Sequence, residues 1–489
     1  MTGHIAKVLV LVTVLVVGCT RNAPSASSTP TPTLTAGTIA WTSCGAGFQC
    51  GNLMVPLDYS NPGGRKVSLA LIRKPKQGDQ PRIGSLLYNP GGPGESGVDY
   101  LRSDTSIKEL NQRFDLVAWD PRGIGGSTRI SCVDNATLDS DLALDGVLDD
   151  TQEKDAAIQA DKAFVDGCQR HSGFLLQFMD SATTARDMDQ IRAALGDEKL
   201  TYIGFSYGTL LGQWYAHLFP TRVRALSLDG VVDPGVSANE SQLRQVVGFQ
   251  QNLDAFLADC RSRTSCAFGR AGDPGTRLEA LMARLDASPI NVGSRQLTRN
   301  LAMTGLLQTL YDQSLWTYLD QGLTAAERGD GRLLLFLADF YNKRNADGTY
   351  DAISNGGFAG AFCLDFPSPS DVAYYDGLGP SYEKASPFFG KWMQYGNLQC
   401  GMWPAKLKGS HTPLPIQGAP PILLVGGTND PATPYVDAQS VNRQVSGSIL
   451  LTRQGNGHTS FGSSDCSHTA EDAYLIDLTL PAAGAVCNS

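Results

Sequence analysis

A chain of 489 residues with 42% hydrophobic composition can bury a large core and is too long for one minimal domain. One large domain carrying an insertion, or two domains, is expected. The net charge of -9, the sequence pI near 5.2 and the lack of a lysine or arginine cluster exclude a phosphate-backbone binder, so nucleic acid is not an expected partner.

The chain opens with a weakly basic stretch around Lys7 and the apolar run VLVLVTVLVVG from Val8 to Gly18. That run is too short to span a membrane and reads as a signal peptide over residues 1–18. Small residues directly before Cys19 resemble the lipobox of bacterial lipoproteins, in which the cysteine is lipidated and becomes the new N-terminus. The expected location is the outer face of a bacterial cell membrane, held by that lipid anchor, with release as the alternative. Residues 19–38 then form a Ser, Thr, Pro and Ala tether with too little apolar surface to offset its ordering entropy. The sequons at Asn135 and Asn239 are read as chance in such a chain.

Setting Cys19 aside leaves an even number of cysteines from the eleven present, as a disulfide framework in an exported chain requires. The count alone leaves connectivity open. Proximity favours Cys44 with Cys50, Cys132 with Cys168 and Cys260 with Cys266, after which Cys363 with Cys400 and Cys466 with Cys487 would follow. No CxxC spacing and no histidine pair at ligand spacing occurs, so no metal is expected.

Short apolar runs alternating with helical patterns predict an α/β fold with a mostly parallel sheet over residues 39–235. The strands are GSLLYN (Gly84 to Asn89), FDLVAWD (Phe114 to Asp120), LTYIGF (Leu200 to Phe205) and ALSLDG (Ala225 to Gly230). Helices are predicted over Thr183 to Leu195 and over Tyr207 to Phe219, where Pro220 stops the second. From 236 to 396 successive amphipathic patterns, with Leu278, Leu281, Met282 and Leu285 on one face, predict a helical cap. The core resumes over 397–489 with strands in PPILLVGGTND (Pro420 to Asp430) and SILLTR (Ser448 to Arg453), then a last helix around Glu471 to Leu480.

The strongest chemical signal is Gly204-Phe205-Ser206-Tyr207-Gly208, a G-x-S-x-G between a predicted strand and a predicted helix. A serine on so sharp a turn sits in a strained backbone, and the glycines remove clashes with the adjacent elements. Ser206 is therefore the candidate nucleophile, and the Tyr207 N–H at the helix N-terminus is a candidate oxyanion donor. A serine hydroxyl needs a histidine base oriented by a carboxylate. Of the six histidines, His458 in Gly455-Asn456-Gly457-His458-Thr459 follows the last strand, where the order Ser, acid, His requires it, with His468 as its rival. Asp430 ends the strand before it and is the candidate acid, Asp229 being the alternative position. The glycine-rich loop Asn89 to Gly97 follows an early strand and offers the second oxyanion donor, Gly92 first and Gly91 second.

Together the NPGGPGxSG loop, WDPRGIGGS (Trp119 to Ser127), GFSYG, the Asp430 loop, NGH, AFCLD (Ala361 to Asp365) and CGMWP (Cys400 to Pro404) resemble the secreted bacterial tripeptidyl aminopeptidases, relatives of the prolyl iminopeptidases. Pro90 stands where prolyl iminopeptidases begin the oxyanion loop with histidine, which favours the tripeptidyl side. The resemblance implies an α/β-hydrolase fold and hydrolysis of peptide bonds near a free N-terminus, under the helical cap. Such an enzyme needs an anion for the substrate ammonium, for which Asp365 is the candidate, and it needs no cofactor. A carboxylesterase or lipase with the same triad is the first alternative. A noncatalytic peptide-binding lipoprotein is the second.

Overall fold

The computed structural model describes residues 37–405 and 412–488. The expected signal segment, Cys19 and nearly all of the tether lie outside the described residues, as do His4 and His411. No helix among the described residues is long and apolar enough to cross a membrane.

The described residues contain a ten-stranded sheet. Its strands in chain order are β1 (Thr42–Ser43), β2 (Gln49–Pro56), β3 (Lys66–Lys74), β4 (Gly84–Asn89), β5 (Phe114–Trp119), β6 (Leu200–Phe205) and β7 (Val223–Asp229), while β8 (Ile290–Val292) and β9 (Arg295–Leu297) form a separate hairpin. β10 (Leu423–Asn429), β11 (Ile449–Asn456) and β12 (Val486–Asn488) complete the large sheet, whose order is β1-β2-β3-β5-β4-β6-β7-β10-β11-β12. Pairing is antiparallel from β1 to β5 and parallel from β5 to β12. All residues of β4 and β6 are buried, as expected of central parallel strands covered on both faces.

The alternation of side chains along each strand divides the core. Leu86, Tyr88, Leu116, Ala118, Ile203 and Phe205 join the cluster on one face, and Leu87, Val117 and Tyr202 join the cluster on the other. The predicted strands and the two predicted helices are present, with ends shifted by a few residues. β11 continues to Asn456, and the last helix runs Asp465–Asp477 instead of Glu471 to Leu480. Ser464 caps that helix by accepting from Ser467 N, and Leu478 at φ +61° ends it. The antiparallel strands β1 to β3 and the Thr151–Ser172 helix, started by an Asp150/Glu153 capping box, were not among the predicted elements.

Between β7 and β10 the chain leaves the sheet for a run of helices beginning with Ala238–Ser262. Leu253, Leu278, Leu281, Leu306, Leu319, Leu334 and Phe389 belong to a third hydrophobic cluster, and Ala432 from the loop after β10 joins it. The later segment holding Ala359, Cys363, Leu364, Cys400 and Trp403 packs instead into the core of the sheet. All five expected disulfides are formed: Cys44–Cys50, Cys132–Cys168, Cys260–Cys266, Cys363–Cys400 and Cys466–Cys487.

Several carboxyls are largely withdrawn from water by the groups packed around them. Burial pushes Asp161 and Asp229 to about 6 and Asp365 and Asp437 to about 7. An unfolded aspartate titrates near ~3.9, so between these values the native state binds more protons than the unfolded one and loses stability as pH rises. The melting temperature is expected to be higher at about pH 5 than at about pH 8, which a calorimetric pH series would check.

Candidate active site

The turn between β6 and the Tyr207–Leu218 helix holds Ser206 at φ +54° and ψ -125°, a conformation L residues rarely adopt. Its glycines are required sterically. A Cβ on Gly204 would lie 2.6 Å from Gly208 O, and one on Gly208 would lie 2.8 Å from Asn89 Oδ1. Ser206 N donates to Asp229 O at 2.9 Å, tying the turn to the end of β7. Ser206 Oγ has no hydrogen-bond partner among the described residues, and hydrogen bonds of this kind often tighten only around bound substrate.

The Asn89–Gly97 loop rests directly on this turn. A Cβ on Gly91 would meet Phe205 O at 2.4 Å, Ser206 Cβ at 2.9 Å and Tyr207 N at 3.1 Å. The Gly91 N–H is already used, since it donates to Asn89 Oδ1 at 3.0 Å. The Gly92 and Tyr207 N–H groups have no acceptor among the described residues, and Gly92 is exposed. Asp120, in the loop after β5, steadies this loop by accepting from Ser96 Oγ at 2.7 Å, Val98 N at 3.1 Å and Gly126 N at 2.8 Å.

Across the sheet edge, His458 Nδ1 donates to both Asp430 oxygens, at 2.8 and 2.9 Å. Because an ionised carboxylate only accepts, this contact fixes the ring tautomer and leaves Nε2 as the acceptor. The Asp430 side chain is fully buried. Burial alone would raise its pKa, but the imidazole and the Thr433 and Thr459 N–H groups outweigh that effect and hold it below the ordinary value. Ala432 N, Thr433 N and Thr433 Oγ1 also donate to it, at 3.0, 2.9 and 3.1 Å. The ring lies close to the end of β7, because a Cβ on Gly230 would be 3.2 Å from His458 Cε1. Ser206 and His458 thus flank the same end of β7.

The alternatives are otherwise engaged. Asp229 accepts from Ser460 N at 2.6 Å and Phe461 N at 2.9 Å, so it holds the loop after His458 instead of orienting the ring. His468 stacks on Phe461 at 4.1 Å and pairs with Asp472 at 3.3 Å. His217 Nδ1 meets Pro415 O, and His171 is exposed at the end of the Thr151–Ser172 helix.

Asp365 departs from its expected role as an anion open to a ligand. Its carboxylate accepts from Ser181 N at 3.1 Å, from Ser181 Oγ at 2.7 Å and from the Tyr207 hydroxyl, a short contact. Burial and the charge of Asp180 push its pKa up to about 7, which weakens it further as a partner for a cation.

Supports that the sequence reading missed surround the histidine. Buried Arg453 donates to Ser460 Oγ, Asn456 O and Gly457 O, and Tyr311 O accepts from His458 N at 2.7 Å. The inserted Ala238–Ser262 helix packs on the acid loop, where a Cβ on Gly248 would lie 2.8 Å from Pro431 O and Asn252 Nδ2 donates to Asn429 O.

A strained serine, a buried Asp–His pair and two unused N–H groups at a sheet edge form the equipment of acyl transfer. Over residues 84–465 the chain matches the family model described as alpha/beta hydrolase fold. The chain belongs to this family and is a serine hydrolase. It is 37% identical to Serine protease Hip1 of Mycobacterium tuberculosis, covering 98% of this chain and 96% of that one. It is 35% identical to Carboxylesterase B of the same species over 95% of this chain and 92% of that one, and 31% identical to Tripeptidyl aminopeptidase of Streptomyces coelicolor over 90% and 84%.

The Gly91 contacts give a direct test. Gly91→Ala is expected to lower kcat/KM on an activated ester by about 10²-fold or more, since the loop must leave the turn. Gly196→Ala has a φ of +80° in the parent but open space around it, and is expected to cost stability while leaving kcat/KM unchanged.

Proposed function

We propose that this chain is an exported serine peptidase that removes short peptides, tripeptides in the first instance, from free N-termini. The observation that carries the reading is the docking of the helical insertion on the loops of the acid and the histidine, through Gly248 on Pro431 and Tyr311 O on His458 N. A cleft roofed on that side suits a chain end better than the middle of a folded protein. The similarity to a tripeptidyl aminopeptidase and to a serine protease supports the same substrate class.

In this mechanism Ser206 Oγ attacks the scissile carbonyl while His458 Nε2 takes its proton, and Asp430 holds the tautomer and stabilises the imidazolium. The Gly92 and Tyr207 N–H groups donate to the tetrahedral oxyanion. Its collapse breaks the C–N bond, with His458 giving the proton to the leaving amine and leaving an acyl group on Ser206. Water, deprotonated by His458, then attacks the acyl carbon, and the peptide leaves as the carboxylic acid. Asp365 acts by fixing the Tyr207 side chain at the helix start. The apolar run before Cys19 and the five disulfides support export, with Cys19 as the lipid anchor. Carboxylesterase activity with the same triad is the second reading, favoured by the similarity to Carboxylesterase B.

The chain from Thr20 onward, produced under disulfide-permitting conditions, would be given fluorogenic amides with one, two or three free residues beside short-chain esters. A preference for the free tripeptide amide, lost on N-acetylation, is the expected result. Cleavage of esters alone would move the assignment to carboxylesterase. Ser206→Ala and His458→Ala are each expected to lower kcat by roughly 10⁶-fold, as in other serine peptidase triads. Near-normal turnover in either would refute the roles. Asp365→Asn is expected to lower turnover of free peptides, N-acetylated peptides and esters in parallel, by about tenfold or more, through a displaced Tyr207. A loss confined to free peptides would return the ammonium-binding role to Asp365.

A further inference from the structure

The loop of the oxyanion glycines carries a carboxylate that the hydrolytic steps do not use. Glu95 follows the oxyanion glycines in the Asn89–Gly97 loop, and its N donates to Gly91 O at 3.3 Å. A Cβ placed on Gly92 would lie 3.4 Å from Glu95 Cγ, so the side chain starts beside the exposed Gly92. The Glu95 side chain is 30% exposed, and its one ion-pair partner among the described residues is Lys343 Nζ at 3.0 Å.

Lys343 comes from the inserted helices, just after Arg332–Tyr341, and has a φ of +52°. It is the left-handed residue that ends this helix, where Arg344 N donates back to Asp339 O at 2.9 Å. Its Nζ also lies 5.2 Å from the Phe340 ring centre. The adjacent Tyr341 ring packs on Tyr311 at 6.2 Å, and Tyr311 packs on His458 at 5.5 Å. The Glu95–Lys343 pair therefore joins the oxyanion loop to the same part of the insertion that contacts the histidine.

This pairing presents a primary ammonium on a half-buried carboxylate beside Gly92. The terminal group of a free peptide is also a primary ammonium. Asp365 cannot serve as readily, because its oxygens already take donors from Ser181 and Tyr207. From these contacts we infer that Glu95 holds the terminal ammonium of the substrate and that Lys343 occupies its place while the cleft is empty. This rests on the aminopeptidase reading and adds the residue by which that enzyme would tell a free N-terminus from a blocked one.

The test is the ratio of kcat/KM for a free tripeptide amide to that for its N-acetylated counterpart, measured on the disulfide-bonded enzyme and expressed per site titrated with a fluorophosphonate. That titration counts folded sites, so a misfolded fraction does not enter the ratio. Glu95→Gln is expected to lower the ratio by about tenfold or more, as loss of one partner of a partly desolvated charge pair does. Lys343→Met, which removes the competing ammonium, is expected to keep the ratio or raise it. An unchanged ratio in Glu95→Gln would overturn the inference while leaving the aminopeptidase reading standing. So would an equal fall in both variants, since the pair would then be only a latch between loop and insertion. A parent enzyme without preference for the free peptide would instead overturn the aminopeptidase reading, and this inference with it.

Discussion

Asp430 is both charged and wholly enclosed, and the rest of the site is arranged around that combination. An enclosed carboxylate is tolerated only when its lone pairs are filled. Here the donors are the His458 ring, the Ala432, Thr433 and Thr459 N–H groups and the Thr433 hydroxyl. Supplying them requires the chain to fold tightly after β10 and to bring the loop after β11 alongside. That loop is in turn secured by Arg453 from within and by Tyr311 from the insertion. The inserted helices are consequently more than a cover. Gly248 lets one of them press on the backbone of the acid loop, and Ala432 lies in their hydrophobic cluster. Movement of this part of the insertion would disturb the histidine and its acid together.

Much of this arrangement was legible because close backbone approach leaves a mark in sequence. Where a serine turn, a donor loop and a strand end meet at distances a methyl group would not fit, only glycine serves, so G-x-S-x-G and the NPGGPG run stand out. The central strands were legible for a related reason: buried on both faces, they read as short continuous apolar runs between helical periods. Each cysteine of the described residues pairs with its neighbour along the chain, so the three pairs that proximity favours and the two that follow from them are all formed.

What was not legible depends on partners far apart in the chain. Asp365 looked like a free anion because nothing near it in sequence announces Tyr207 and Ser181, which take up its oxygens. Arg453 reads as one more residue at a strand end, and only the fold shows it buried beneath the histidine loop. The antiparallel strands at the first edge of the sheet face solvent on part of their surface and mix polar with apolar residues, so they lack the uniform apolar signature of β4 and β6. Ser464, which starts the last helix early, is an ordinary capping residue whose effect is clear only once Ser467 N is seen to donate to it.

Two aspartates compete for the role beside His458, and the structure separates them by environment. Each ends a strand of the same sheet, at β7 and just after β10, and each is buried. Asp229 spends one oxygen on Ser460 N and Phe461 N and has no donor for the other among the described residues, so burial prevails and its pKa rises to about 6. Asp430 has the imidazole and more donors, so the same burial is overcome and it remains the stronger acid of the two. Their mutual repulsion sharpens the difference, because placing the charge on Asp430 makes it costlier on Asp229. In the proposed mechanism the carboxylate that stabilises a transient imidazolium has to be ionised before the proton arrives. The division therefore puts the charge where the proposed mechanism uses it and leaves the other carboxyl to hold the loop that carries the histidine.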